Sequence, residues 1–285
     1  MFSNLSDLKK AGLFYVLVMA INMTQILIFR AAAPEAGIVV YTHMFTPLLI
    51  TLLMLFVFTR DGYGQHGRFG LGLRRLGWRA WGLALLLPLL VLAVSYGLGW
   101  LSGAAALVVP EDGGGLPNLL VNLIIHLLIT SFFILWEEIG FRGYLQPKLM
   151  GLGAKQAIIL SGFLHGVWHL PIILLTPFYL DLGNRFLTIP IFLLLLTASG
   201  VITGFLRLET DSLWPSTILH GAFNTFLNVF TMLTVLSSPL ATYLVGETGV
   251  LTLLATAVVA LWLLQRGKTA VALTPKMHAA AESVK

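Results

Sequence analysis

Long apolar runs without a charged side chain alternate with short polar segments along most of the chain. Eight windows contain no Asp, Glu, Lys or Arg: 11–29, 37–59, 80–110, 113–136, 156–180, 186–206, 212–246 and 248–265. A helix needs about 20 apolar residues to cross a bilayer, so each window can hold one spanning helix. Because the runs are continuous, they favour helices over a barrel, whose strands would alternate at every second residue. The pattern predicts an all-α, polytopic integral membrane protein with eight transmembrane helices in a single domain, residues 1–265.

The composition agrees with a lipid environment. Of the 285 residues, 58% are hydrophobic and 10% are charged, whereas about a quarter of an ordinary soluble domain is charged. The chain has no cysteine, which excludes disulfides and thiol chemistry. Its net charge of +5 does not indicate nucleic-acid binding, because the basic residues fall in short gaps between apolar runs. We expect the lipid bilayer, and no nucleic acid, as a partner.

The distribution of Lys and Arg predicts the orientation of these helices. If the N-terminus is cytoplasmic, 14 basic residues fall in cytoplasmic segments and two, Arg30 and Arg185, fall in outer loops, with Arg142 set aside. This bias predicts that both termini are cytoplasmic, in a multi-pass protein of the bacterial inner (cytoplasmic) membrane. The basic segment 60–79 is expected along the inner headgroups. Residues 266–285 are expected to form a disordered cytoplasmic tail.

A small set of ionisable and amide side chains lies within these windows or at their ends. Such groups cost roughly 2.5–3.5 kcal/mol each on membrane-insertion scales, so they are candidates for function. They form three clusters, at the end of the fourth window and inside the fifth and seventh: Glu137, Glu138 and Arg142; His165 and His169; His220 and Asn224. Two isolated histidines, His43 and His126, are expected to be structural, and no role is assigned to them.

The three clusters share a depth in the expected bundle. Glu137, His165 and His220 lie 11, 10 and 13 residues from the nearest basic residue on their cytoplasmic side. At about 1.5 Å of rise per residue, each is very roughly 15–20 Å from that charge, so all three can face one cavity. Glu138 and Arg142 are four residues apart and can pair on one helix face, while Glu137 points about 100° away from Glu138.

The histidine clusters have simpler interpretations when each is taken alone. His165 and His169 have the four-residue spacing of helical zinc sites, but one of them could instead bond a neighbouring helix. His220 and Asn224, also four apart, could be interhelical polar contacts. Their common depth with the carboxylates favours a functional site over these separate explanations.

Together, the three clusters resemble the motifs of the CPBP intramembrane proteases, which include prenyl-protein CAAX endopeptidases and bacteriocin-processing or immunity proteins. The first family motif, two glutamates, three spacers and an arginine, is matched by residues 137–142. The second, usually phenylalanine, three residues and histidine, is matched at His169, but His165 stands in the phenylalanine position. The last, histidine, three residues and asparagine or a similar residue, is matched by His220 and Asn224. The resemblance covers roughly residues 115–230.

The resemblance implies an intramembrane endopeptidase that hydrolyses a peptide bond of a membrane-proximal or lipid-anchored peptide or protein. By this resemblance, Glu137 and His169 activate the attacking water. His220 and Asn224 stabilise the oxyanion. The supporting residues are Glu138, Arg142 and His165.

The resemblance and the residues leave the cofactor open. Glu137, His165, His169 and His220 could supply the two histidines and one carboxylate of a catalytic zinc site. The additional His165 makes this chain more capable of holding a metal than the usual family pattern. The resemblance also supports a metal-free, glutamate-type mechanism, which is the preferred alternative.

Two other classes of protein are compatible with the same polar cluster. A membrane transporter or ion carrier would use it as a proton or metal relay, although the chain shows no internal repeat of the kind common in transporters. A non-catalytic immunity or scaffold protein would keep the fold without the reaction. The sequence specifies neither the substrate, nor its prenylation, nor the oligomeric state.

Overall fold

Helices make up nearly the whole of the described chain. The computed structural model describes residues 2–32, 37–61, 70–108, 115–176 and 183–271, and 82% of it is helix. The α-helices of this part are α1 Asp7–Ala32, α2 Ile38–Leu53, α3 Trp81–Leu101, α4 Gly115–Glu138, α5 Gln146–Leu149, α6 Ala154–Leu175, α7 Arg185–Thr210, α8 Trp214–Met232 and α9 Val250–Val271. Wider π-turns follow two of them, at Met54–Phe58 and Ile139–Leu145, and 3-10 turns occupy Trp78–Ala80, Met150–Leu152 and Pro239–Tyr243. A short antiparallel ribbon pairs β1, Ala105–Leu107, with β2, Thr234–Leu236.

Six helical segments are long and apolar enough to cross a membrane, as expected of a multi-pass membrane protein. They are Asp7–Phe29, Ile38–Phe58, Trp78–Leu101, Leu120–Leu152, Ala154–Leu175 and Arg185–Thr210. These segments coincide with the first six charge-free windows, and the all-helical membrane architecture is confirmed to that extent. The count of eight spans, the cytoplasmic termini and the identity of the membrane stay predictions.

The last two windows contain helices that differ from the expected spans. In window 212–246, α8 ends at Met232 after 19 residues, and the remainder folds as β2, a 3-10 turn and a tight turn. Histidine and asparagine side chains within α8 lower its hydropathy. The apolar part of α9, Val250–Arg266, is shorter than each of the six membrane-length segments.

Two predicted features lie partly outside the described residues. The basic segment 60–79 includes residues 62–69, which are outside, and Arg68 is among them. The expected tail begins at residue 266, whereas α9 continues to Val271. Residues 272–285 are outside the described part.

The basic segments expected on one side of the membrane meet at one end of the helix bundle. Nζ of Lys148 lies 2.9 Å from a carboxylate oxygen of Asp7 and 3.4 Å from one of Asp61, and Lys10 pairs with the same Asp61. Lys10 and Lys148 are both buried. These two residues, which the sequence suggested as simple topology markers, are therefore also structural counter-ions that join α1, α5 and the end of the second span.

Helices α6 and α7 approach closely because glycine faces glycine. A Cβ on Gly200 would lie 2.3 Å from the Cα of Gly162, and a Cβ on Gly162 would lie 2.9 Å from the Cα of Gly200. Contacts between small residues let membrane helices pack with their backbones close together. The same Cβ on Gly200 would lie 3.2 Å from Nη2 of Arg142, so the glycine also leaves room for that guanidinium.

We expect Gly200→Ala to destabilise the protein by about 1–3 kcal/mol, the usual cost of overfilling a packed contact. The matched control is Gly97→Ala on α3, where a Cβ would meet nothing within 4 Å. That control should be neutral or stabilising, because alanine favours a helix over glycine. Thermal unfolding of both variants in the same nanodiscs measures the difference, and equal midpoints would contradict the close helix contact.

Candidate active site

The seven polar residues of the three sequence clusters come together where α8 packs on α4 and α6 meets the π-turn that follows α4. Glu137 and Glu138 end α4, Arg142 lies in the π-turn that follows, and the remaining four lie on α6 and α8. Six of the seven line one cavity of about 80 Å³: Glu137, Arg142, His165, His169, His220 and Asn224. The seventh, Glu138, is fully buried and bonds two of the lining residues.

The π-turn Ile139–Leu145 carries Arg142 from the end of α4 into this site. Every residue of the turn is buried. Gly140 lets the turn touch α2, because a Cβ there would lie 2.4 Å from the Cβ of Pro47. Turns of this wider type are frequent at functional sites.

Glu138 is held by two donors on different helices. Its Oε1 accepts hydrogen bonds from Nη1 of Arg142 at 3.0 Å and from Nδ1 of His220 at 2.9 Å. The ion pair expected from the four-residue spacing is thus present, and it is buried on both sides. Because Nδ1 of His220 is used in this way, the other ring nitrogen, Nε2, is left for the cavity.

His165 connects the same arginine to Glu137, and the contacts decide which ring nitrogen carries the proton. Nη1 of Arg142 lies 2.8 Å from Nδ1 of His165, and a guanidinium can only donate, so Nδ1 accepts. A neutral imidazole has one donor and one acceptor nitrogen. Nε2 therefore carries the proton and donates to Oε2 of Glu137 at 3.0 Å. The ring also stacks on Phe141, with centroids 4.4 Å apart.

His169 and Asn224 present their remaining polar atoms to the cavity. Nδ1 of His169 donates to the backbone carbonyl of His165 at 3.0 Å, so in the neutral ring Nε2 is an acceptor. The carboxamide of Asn224 lines both this cavity and a second, adjoining one of about 260 Å³. Both residues therefore have groups available to a bound molecule.

A metal ion was one interpretation of the sequence, and one group of the described residues meets a distance criterion for it. Single ligand atoms of Glu137, His165 and His169 lie within 4.8 Å of one another. A histidine nitrogen that binds a metal must be free of its proton, whereas Nε2 of His165 carries the proton donated to Glu137. Arg142 occupies the other nitrogen. The group therefore does not fit a metal as arranged, and no other three-ligand set is found in the part of the chain that the structure describes.

Five polar residues that the sequence did not assign to the site also line the two cavities, Asn228 on α8 and four others. The four others are His43 on α2, Ser199 and Thr203 on α7, and Glu247 in the turn before α9. His43 was expected to be structural, and it does bond Asn22 and stack on Trp168. Glu247 is the acidic residue between the last two charge-free windows, and nothing in that pattern signals that the chain folds back to the cavity there.

The comparisons with known proteins agree with the geometry. Residues 117–226 match the model of a protein family described as Rce1-like, type II CAAX prenyl endopeptidase. The match contains all three motifs, and it confirms the family resemblance inferred from them. No curated protein matches the chain.

Arg142→Met should destabilise the protein by about 3–5 kcal/mol, because it leaves the buried carboxylate of Glu138 without its counter-ion. Adding Glu138→Gln should recover part of that loss, since the double variant no longer buries an unpaired charge. A double-mutant cycle of unfolding free energies measures the coupling.

The control for this cycle is Arg75→Met, which removes an arginine whose side chain is 69% exposed and pairs with Asp211 at 3.4 Å. A pair at the surface contributes about 0–1 kcal/mol, so this variant should unfold almost like the parent. Additive effects of Arg142→Met and Glu138→Gln would mean that the two buried groups do not depend on each other.

Proposed function

We propose, from the family match of residues 117–226 and the geometry of the cavity, that this protein is an intramembrane endopeptidase of the glutamate type. The observation that carries the proposal is the chain of hydrogen bonds through Arg142, His165 and Glu137. It points one carboxylate at a cavity that also contains two histidines and a carboxamide. The proposed substrate is a membrane-proximal or lipid-anchored peptide.

In this proposal, Glu137 and His169 activate the attacking water. Oε2 of Glu137 is occupied by the proton of His165, so the other oxygen is left to accept a proton from water. His169 offers its unprotonated Nε2 to the same cavity and can hold the second hydrogen of that water. As the water oxygen bonds to the peptide carbonyl carbon, one proton passes to Glu137.

His220 and Asn224 are suited to the negative charge that develops on the carbonyl oxygen. The carboxamide of Asn224 is a donor in any orientation that turns its amino group to the substrate. His220 donates from Nε2 when its ring is protonated at both nitrogens, with Nδ1 donating to Glu138. Two such donors in a site that excludes bulk water stabilise a tetrahedral oxyanion strongly.

Collapse of the intermediate completes the hydrolysis. The carbon–nitrogen bond breaks as Glu137 returns its proton to the departing nitrogen, so the immediate products are a carboxylic acid and an amine. The acid, which keeps the second hydrogen of the water, then passes that proton to the amine, and the final products are a carboxylate and an ammonium group. Arg142 and Glu138 take no proton in this scheme. They hold the rings of His165 and His220 in place, and so they fix the directions in which these rings face Glu137 and the cavity.

We expect Glu137→Gln to lower kcat by about 10²–10⁴, the usual contribution of a positioned general base. His220→Ala should lower kcat by about 10²–10³, as for an oxyanion donor. The measurement is cleavage of a farnesylated CAAX-type peptide and of its unlipidated counterpart by protein in vesicles. Glu209→Gln, which changes an exposed carboxylate on α7, is the control and should cleave like the parent. Retained turnover in Glu137→Gln would overturn the proposal.

The role of His165 separates the glutamate mechanism from a metal mechanism. His165→Phe, the residue type of the family motif, removes the donor to Glu137, and we expect kcat to fall because the carboxylate loses the hydrogen bond that positions it. His165→Gln can still accept from Arg142 and donate to Glu137, so it should restore part of the activity.

The same variants are tested for dependence on metal. A glutamate mechanism predicts that activity survives a zinc chelator and that purified active protein contains far less than one zinc per chain. Loss of activity with the chelator and its return with zinc would instead favour a metal mechanism, as would a dead His165→Gln variant.

A further inference from the structure

A second cavity, of about 260 Å³, adjoins the site and has polar walls that the hydrolysis does not use. It shares Glu137, His169, Asn224 and Glu247 with the site, and it is extended by the polar residues His43 and Asn228. Its apolar lining consists of Val40, Met44, Ile172 and Leu227. Two polar groups of this cavity that the hydrolysis does not use, the ring of His43 and the carboxylate of Glu247, have chemistry that specifies a ligand.

His43, which lines this cavity, has a buried acceptor nitrogen. Nδ1 of His43 lies 2.7 Å from Oδ1 of Asn22, whose Nδ2 donates to the carbonyl of Trp168 at 3.1 Å. The oxygen of Asn22 can only accept, so Nδ1 of His43 carries the proton and Nε2 of the neutral ring is an acceptor. Nε2 is buried and has no hydrogen-bond partner in the described part of the chain. The ring is fixed flat against Trp168, 3.7 Å between centroids.

Glu247 reaches the cavity from a turn whose backbone is held on both sides. A backbone hydrogen bond of 3.0 Å closes the turn over residues 244–251, and Gly246 has a φ of +90°, which favours glycine. Val245 and Thr248 are buried. The carboxylate is therefore presented to the cavity by a fixed loop and not by a long free segment.

Among the residues that the structure describes, none forms a hydrogen bond or an ion pair with the carboxylate of Glu247, and burial raises its pKa to about 7. The arginine that lines the smaller cavity with it, Arg142, is already bonded to Glu138 and His165. An ionised carboxylate in such a place is stabilised by a cation that enters with a ligand. The carboxylate of Glu247 and the acceptor nitrogen of His43, which line the same cavity, both require N–H donors.

We propose that this cavity is a substrate subsite for a basic side chain, an alkylammonium or guanidinium group bound by Glu247 and His43 beside the scissile bond. The proposal rests on the proposed endopeptidase function. The volume of about 260 Å³ lies below the roughly 300–1,000 Å³ of typical small-molecule pockets, so it suits one side chain and not a prenyl chain.

The test uses peptides in vesicles that differ only at one position within two residues of the cut, which carries lysine, norleucine or glutamate. We expect the lysine peptide to exceed the norleucine peptide at least about tenfold in kcat/KM, as for a charged hydrogen bond. Glu247→Gln should bring this ratio close to one. Glu209→Gln, on the exposed face of α7, should leave the ratio as in the parent.

The ratio should also depend on pH. It should grow as the pH rises from about 6 to about 8, because Glu247 ionises over that range. The other titratable or charged groups around the two cavities are Tyr96 on α3, His43 on α2, Glu137 with Arg142, His165 and His169 on α6, and His220 on α8. The Glu247→Gln variant separates the effect of Glu247 from theirs, because a pH dependence of the ratio that comes from the other groups should persist in that variant.

A binding measurement separates this proposal from the proteolytic one. n-Butylammonium, a mimic of the lysine side chain, should raise the thermal midpoint of the parent more than that of Glu247→Gln, and n-butanol should not distinguish them. If no peptide is cleaved but butylammonium acts through Glu247, the subsite is supported and the protease proposal fails. If peptides are cleaved and the parent shows a lysine-to-norleucine ratio near one, the subsite is overturned while the protease proposal stands.

Discussion

One buried guanidinium organises the polar residues of this protein. Arg142 is 2% exposed, and a charge so far from water needs close partners. It has a carboxylate partner in Glu138 and a neutral partner in His165, at 3.0 and 2.8 Å from the same Nη1. Each partner contacts one further cavity residue, so displacement of the arginine would disturb the two halves of the site together.

The two glutamates of the motif are neighbours in sequence and have different surroundings. Glu138 accepts from an arginine and a histidine through one oxygen, and it lies behind the cavity wall. Glu137 accepts from a neutral imidazole and lines both cavities. The difference follows from the turn of the helix, which directs successive side chains about 100° apart. One carboxylate is thereby used for structure, and its neighbour is available to a substrate.

The sequence could predict whatever depends on local spacing. Charge-free windows located six membrane-length helices, and the four-residue spacing located the pair of Glu138 and Arg142. It could not predict the contact of Arg142 with His165, because these residues are 23 positions apart and meet only when the π-turn packs on α6. That contact fixes the protonated nitrogen of His165, which the spacing alone left open between a zinc ligand and a hydrogen-bond donor.

Two further residues of the cavities, Glu247 and His43, could not be predicted, because a hydropathy pattern does not show where the chain turns back toward the site. Window 212–246 suggested one helix, but the chain leaves α8 at Met232 and returns through a turn that brings Glu247 to the cavity. His43 looked structural because it stood alone in its window. Its bond to Asn22 and its place in the cavity wall depend on the packing of α1, α2 and α6, which no local pattern encodes.

The wider turn at Ile139–Leu145 has a consequence for how such a chain can evolve. A π-turn contains one residue more than the α-helical turn it replaces, and deletion of that residue would restore an ordinary helix while rotating everything beyond it by about 100°. The arginine would leave its carboxylate although no functional side chain had been altered. Selection on this stretch therefore acts on the number of residues as well as on their identity, whereas surface loops can change length freely.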